Sequence, residues 1–354
     1  MSLPQTSLEP TETNVRFDHN KPLASKKAPS TDTEEEIFAS DNAACVFRHS
    51  GWAGTRRKVY ESLRRTGQAP SRVLNFTSCG YGAYVLRSPT APYRYKVAGS
   101  CCHDRFCQPC ANDRSYRIAS NVVDRLKGKR VRFLTLTVKN VHGSLAEGIR
   151  DLADAFRRLR RTRFWTLNVT GGVAFLEVKY NDQADRWHPH FHCLIEGKYL
   201  PQKVLSDLWL KMTGDSHVVD IRLVKDDRSV SRYVTKYASK PLNSSFSRDS
   251  RHLDEAVRAL YGVRLATTFG TWRGVALIAD LDPEGWTPIG NLDNWLRRAW
   301  QGEREAVGVA TALGSRALAA LKYFGRPPPP PTDGTVPFFQ PKQEKLFETR
   351  SVVY

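Results

Sequence analysis

Nowhere does the sequence run to the roughly 18 consecutive apolar residues that a membrane-spanning helix needs, so none is expected. Its opening stretch, MSLPQTSLEPTETNVRFDHN, lacks the basic start and apolar core of a secretory signal. Acidic charge is in deficit, with 36 Asp+Glu against 54 Lys+Arg and a formal net charge of +18. Such a surplus points to a polyanion, most often nucleic acid, although solubility or contact with a membrane surface would also produce it. Apolar residues are not scarce: 40% hydrophobic and 10% aromatic exclude a wholly disordered chain. The seven cysteines lack the spread of a secreted disulfide scaffold, because four of them fall between Cys101 and Cys110. In a reducing, cytoplasmic setting such clustering more often means metal.

The 354 residues are enough for two domains, or one large domain with appendages. Residues 1–40 are polar, without periodicity, and read as a disordered tail. Residues 41–115 read as a helix followed by a zinc-binding module, 116–245 as the core, and 246–325 as a helical extension. Residues 326–354, which open on Pro327–Pro331, read as a Pro-rich tail. Thr55–Arg65 places Val59 and Leu63 four apart amid charges, which predicts a short amphipathic helix.

From Arg72 to Arg114 short β-prone pieces, Ala83–Arg87 and Tyr93–Ala98, are separated by Gly, Ser and Pro and bracketed by cysteines. Cys107 and Cys110 form a Cys-x-x-Cys knuckle, whose two thiolates reach one tetrahedral ion. Cys102 lies just upstream and Cys79 one hairpin earlier, so these four suggest a structural zinc site. Spacing leaves Cys101 and His103 as alternatives to Cys102. A redox pair or buried free thiols are the competing readings. A closed four-ligand site has no position for substrate, which makes its role structural.

Ala111–Leu126 reads as a helix and Val131–Val138 as a central strand. Ser144–Arg161 reads as a helix with Leu145, Ile149, Leu152, Phe156 and Leu159 on one side. Its basic end, Arg157, Arg158, Arg160 and Arg161, suits a DNA backbone. Val173–Tyr180 and His188–Ile195 read as a hairpin, Gln202–Met212 as a helix and His217–Val224 as a strand. The order β-α-β-β-α-β predicts an α+β fold, a ferredoxin-like split βαβ sheet with helices on one face. On the second hairpin strand His188, His190 and His192 occupy alternate positions and so share a face. Three imidazoles in register favour a divalent metal over a strand whose histidines merely face solvent.

Ser229–Lys240 reads as a helix that stops at Pro241. Tyr233, Lys236, Tyr237 and Lys240 fall at i, i+3, i+4 and i+7, hence on one face. Two Tyr–Lys pairs suit core packing poorly, because four polar tips would need partners. They suit a nucleophile site, where a tyrosine hydroxyl attacks a phosphodiester beside an ammonium group.

Phe133-Leu134-Thr135-Leu136-Thr137, then His190-Phe191-His192, then Tyr233-Val234-Thr235-Lys236-Tyr237 resemble in order the three motifs of the HUH endonucleases. The chain is similar, more narrowly, to rolling-circle replication initiators of the two-tyrosine type, over about Arg72–Lys240. The resemblance implies an HUH endonuclease fold, with His190 and His192 holding Mg²⁺ or Mn²⁺ and Glu177 as the favoured third ligand, His188 being the alternative. It implies that Tyr233 nicks single-stranded or hairpin origin DNA through a 5′-phosphotyrosine, leaving a 3′-OH that primes synthesis with host helicase and polymerase. Tyr237 then serves the second strand transfer, assisted by Lys240 as Lys236 assists Tyr233. One-tyrosine relatives carry a glutamate where this chain has Ser229, which favours the two-tyrosine route. A bacterial plasmid, phage or other mobile element is the implied source. The alternatives are a rolling-circle transposase and a non-enzymatic zinc-ribbon DNA-binding protein.

Overall fold

Among the described residues three helices come first, α1 (Ala43–His49), α2 (Ala53–Arg65) and α3 (Pro70–Thr77). Asn42 caps α1 by accepting from the Cys45 amide. The first-turn proline of α3, already set near the helical φ, starts that helix. A hairpin follows, β1 (Tyr84–Arg87) and β2 (Tyr95–Gly99), and then the long helix α4 (Gln108–Leu126). The computed structural model describes residues 41–139, 141, 143–224, 230, 233–234, 247–278, 285–325 and 352–353.

Next comes β3 (Val131–Thr137), then α5 (Leu145–Arg160), whose Ser144–Glu147 capping box satisfies amides of its first turn. The short helix α6 (Arg163–Asn168) leads into a long hairpin, β4 (Val169–Asn181) and β5 (Arg186–Gly197). Then follow α7 (Gln202–Thr213), β6 (Val219–Leu223), α8 (Ser250–Ala259) and β7 (Ala266–Gly270). The described part closes with β8 (Thr287–Asn291), α9 (Leu292–Trp300), α10 (Arg304–Leu313), α11 (Ser315–Leu321) and a short β9 (Val352–Val353). The sequence predicts a helix over Leu313–Leu321, and α11 forms there from Ser315, after Gly314 at φ +79° has ended α10.

The main sheet is antiparallel, with order β6-β3-β5-β4-β7. The β-α-β-β-α-β path therefore places its last strand beside its first, and its third between first and second. On one face Leu134, Leu136, Leu176, Phe191, Cys193 and Ile195 share a core with Leu152 and Phe156 of α5 and with Leu205 and Trp209 of α7. The other face is covered too, which corrects the expectation of helices on one face only. There Phe133, Val173, Phe175 and Leu194 pack against Ile118 and Val122 of α4 and against Val230 and Val234. The cause is legible in burial: β4 is buried without a break from Gly171 to Val178, and strands buried on both faces need a layer on each.

A second sheet has order β8-β1-β2-β9. Val85 and Val97 of this sheet form a separate core with Phe47 of α1 and with Leu292, Leu296, Val309 and Leu313 of the last helices. Among the described residues no helix is long and apolar enough to cross a membrane. Residues 1–40 and the Pro327–Pro331 run lie outside the described residues.

Candidate active site and cysteine cluster

The hairpin register builds the histidine site. Glu177 of β4 lies directly across from His190 of β5, and Phe175 lies across from His192. On the other side of β5, Thr135 of β3 lies across from His192. Pleating turns Glu177, His190 and His192 to the α4 face, where all three are buried. One carboxylate oxygen, Glu177 Oε2, sits 2.6 Å from His190 Nε2 and 2.8 Å from His192 Nε2. Burial alone would raise the Glu177 pKa, but its bonds to the two imidazoles hold it well below the usual carboxylate range. Burial pushes the His192 pKa down.

The outer nitrogens test whether this group fits a metal. His190 Nδ1 lies 3.1 Å from the His188 carbonyl oxygen, which can only accept, so Nδ1 carries the hydrogen. In a neutral ring Nε2 then presents a lone pair to a carboxylate oxygen 2.6 Å away. Two lone pairs at that distance require a cation between them, either a proton or a metal ion. His192 Nδ1 is likewise held, 3.2 Å from Thr135 Oγ1. Such outer partners are what orient histidine ligands, and the donor set suits a divalent ion. His188 shares the face but bonds the Val138 backbone and stays outside the group of three.

Tyr233 reaches the same face. Its ring stacks on Phe133 (centroids 4.3 Å apart, 15° between planes), and Phe133 stacks on His192 (5.5 Å, 13°). Lys236, Tyr237, Lys240 and Ser229 lie outside the described residues. Sequence reasoning passed over Lys179, whose ammonium is 3.5 Å from Glu177 Oε2. The available signal was its position, two residues beyond Glu177 on the same strand face.

The second cluster gathers Cys79, Cys102, Cys107 and Cys110, with ligand atoms within 4.8 Å of one another. Cys79 Sγ is 3.8 Å from Cys107 Sγ and 3.6 Å from Cys110 Sγ, and Cys102 Sγ is 3.6 Å from Cys110 Sγ. Cys79 comes from the turn after α3, Cys107 caps α4 and Cys110 lies in its first turn. Cys101 and His103 are outside the group. Two residues that the sequence did not flag approach from α1. Arg48 donates to Cys101 (3.0 Å), Cys110 (3.4 Å) and Asp113 (2.7 Å), while His49 Nε2 lies 3.6 Å from Cys107 Sγ.

The α5 arginines are not brought to the histidine site, because α5 packs on the opposite face of the sheet. Arg157 pairs with Asp154, and Arg158 donates to the Met212 carbonyl. Arg160 lies over the rings of Phe156 and Phe269, with Arg161 exposed beside it. Burial, together with the guanidinium groups of Arg273, Arg157 and Arg161, lowers the Arg160 pKa. Arg273 thus adds to the same positive patch.

Residues 94–282, more than half of the chain, match a family model described as replication protein. Among curated relatives, a "Protein rep" of Bacillus amyloliquefaciens is 30% identical over 218 residues, covering 54% of this chain and 64% of that one. A "Protein rep" of a Bacillus species is 32% identical over 185 residues, 47% of this chain and 60% of the relative. A third, from Streptococcus pneumoniae, is 28% identical over 239 residues, 60% and 73% of the two chains. The chain thus spans less than two thirds of the length of the first two relatives. No solved structure matches. The matched region takes in the Glu177–His190–His192 group, Tyr233 and three of the four clustered cysteines, and the chain belongs to the replication protein family.

Proposed function

We propose that this protein initiates rolling-circle replication of a bacterial plasmid by nicking and rejoining single-stranded or hairpin origin DNA. One observation carries the reading: a buried carboxylate–imidazole–imidazole group lies one stacked ring away from Tyr233. The names of the relatives support replication over transposition, and the strand order of the main sheet supports an HUH endonuclease fold.

Glu177, His190 and His192 would hold Mg²⁺ or Mn²⁺, which supplies charge neutralisation at a scissile phosphate. Tyr233 Oη attacks phosphorus, so an O–P bond to tyrosine forms as the P–O3′ bond breaks. The DNA leaves with a 3′-hydroxyl, and the proton count is that of the starting tyrosine. One ester replaces another, which keeps the step reversible and permits rejoining. Thr135 and the His188 carbonyl hold the imidazoles, and Phe133 fixes the plane of the attacking ring. Tyr237 takes the second transfer, with Lys236 and Lys240 as the accompanying cations. The 3′-hydroxyl serves a host polymerase, behind a helicase that opens the duplex.

The four cysteines would hold Zn²⁺ in a closed site with a structural role. Arg157, Arg158, Arg160 and Arg161 contact the phosphate backbone of flanking DNA, remote from the cut.

The test is an origin oligonucleotide labelled downstream of the cut, incubated with purified protein and Mn²⁺. A labelled covalent adduct is expected with the wild-type chain, lost in EDTA and lost in Tyr233→Phe/Tyr237→Phe. An adduct that survives the double substitution overturns the mechanism.

A further inference from the structure

We infer that Lys179 contacts a non-bridging oxygen of the scissile phosphodiester and stabilises the charge that builds there during strand cleavage. The inference rests on the nickase reading above.

Lys179 belongs to the site by construction. It lies two residues beyond Glu177 on β4, in register with His188, so the pleat turns it to the face that carries Glu177, His190 and His192. Exposure separates it from those three. The side chains of Glu177, His190 and His192 are 5%, 5% and 7% exposed, whereas the Lys179 side chain is 47% exposed. A phosphodiester arriving from solvent can therefore meet the Lys179 ammonium without disturbing the buried set.

A counter-ion role for Glu177 explains this lysine poorly. The Glu177 oxygen already has two imidazole nitrogens at 2.6 and 2.8 Å. The ammonium stands farther off, at 3.5 Å, beyond the roughly 2.7–2.9 Å of a charge-assisted hydrogen bond. A half-exposed lysine pair contributes little to stability while costing side-chain freedom. The α5 arginines are on the other face of the sheet and cannot take its place. Lys179 makes no bond and transfers no proton here. It contributes a fixed positive charge where the attacked phosphate gains negative charge.

The test uses the full chain with Lys179→Met and Lys179→Arg, and the origin oligonucleotide whose cut position the wild-type adduct defines. Three quantities are read: single-turnover adduct formation at saturating DNA and Mn²⁺, Mn²⁺ affinity by paramagnetic resonance, and DNA affinity in EDTA. In the last, a phosphodiester oligonucleotide is compared with one carrying a neutral methylphosphonate at the cut position. Lys179→Met should slow adduct formation roughly 100-fold, with Lys179→Arg recovering about a tenth or more of the wild-type rate. Mn²⁺ should bind the Met variant at least as tightly as it binds wild type. In EDTA the wild-type preference for the charged phosphate should vanish in Lys179→Met. A Met variant that forms adduct at the wild-type rate, or keeps that preference, overturns the role of Lys179 alone. A wild-type chain that forms no adduct overturns the nickase reading instead.

Discussion

Replacing Cys79 by serine should cost this protein its zinc and about 10 °C of thermal stability. Cys102, Cys107 and Cys110 come from one short segment, whereas Cys79 comes from the turn after α3. An ion held by all four therefore closes a chain loop from Cys79 to Cys102. By the loop-entropy relation, a cross-link over a loop of that length is worth roughly 3 kcal/mol. A separate route gives a similar figure, since structural zinc binds small peptides with about 10–16 kcal/mol and a quarter of that is roughly 2.5–4 kcal/mol. For domains of roughly 150–250 residues each kcal/mol moves the midpoint by about 2–4 °C. The assay pairs a melting curve with a colorimetric zinc count on the denatured protein, where one ion per wild-type chain is expected. Cys101→Ser is the control, and it should retain the ion because Cys101 is outside the group. The reasoning fails if Cys79→Ser keeps one zinc and the wild-type midpoint, or if wild type is isolated without zinc and chelator leaves its midpoint unchanged.

Glu177→Gln preserves shape but removes the anionic ligand, so Mn²⁺ affinity should fall by more than the roughly 10–100-fold that outer partners cost. Thr135→Val removes the partner of His192 Nδ1 and should fall within that 10–100-fold window by Mn²⁺ titration. Phe133→Leu loses two ring stacks, each worth about 0.5–1.5 kcal/mol, so urea unfolding should register a loss of roughly 1–3 kcal/mol. Arg157→Ala/Arg158→Ala/Arg161→Ala should flatten the plot of log affinity for duplex flanking DNA against log salt by about 2–3 in slope. An unchanged slope would remove these arginines from the DNA path.

Alternation along β4 and β5 made the site readable, because a period of two is a local property of the chain. His190 and His192 follow from it directly. It did not distinguish His188 from Glu177, since both lie on the same face, and only the three-dimensional neighbours separate them. Cys107 and Cys110 are legible from spacing, and Cys102 and Cys79 from proximity along the chain. Arg48 and His49 were not, because α1 reaches the cluster through tertiary packing and carries no ligand spacing. The coverage of both sheet faces was visible in the apolar run Val173–Leu176, where neighbouring residues are all apolar, yet a hairpin reading assigns one face to solvent. β8 escaped, and Thr267–Gly274 around β7 read only as a loop or short strand, because each finds its partner strand far away in sequence, β7 on β4 and β8 on β1. Weak short strands carry no signal of such pairings.

The second core has a consequence for the order in which the protein is made. Asp293 accepts hydrogen bonds from the Ala44 amide and the Asn42 side chain, and α9, α10 and α11 close over Phe47, Val85 and Val97. During synthesis the main sheet has all five strands once residue 270 has emerged. α1 and the first hairpin, translated long before, must then wait with an apolar face open until residues 292–320 arrive. Of the described helices α1 is thus made first and buried among the last, and a ribosome that stops before Leu292 releases a chain with a finished main sheet and an adhesive N-terminal module.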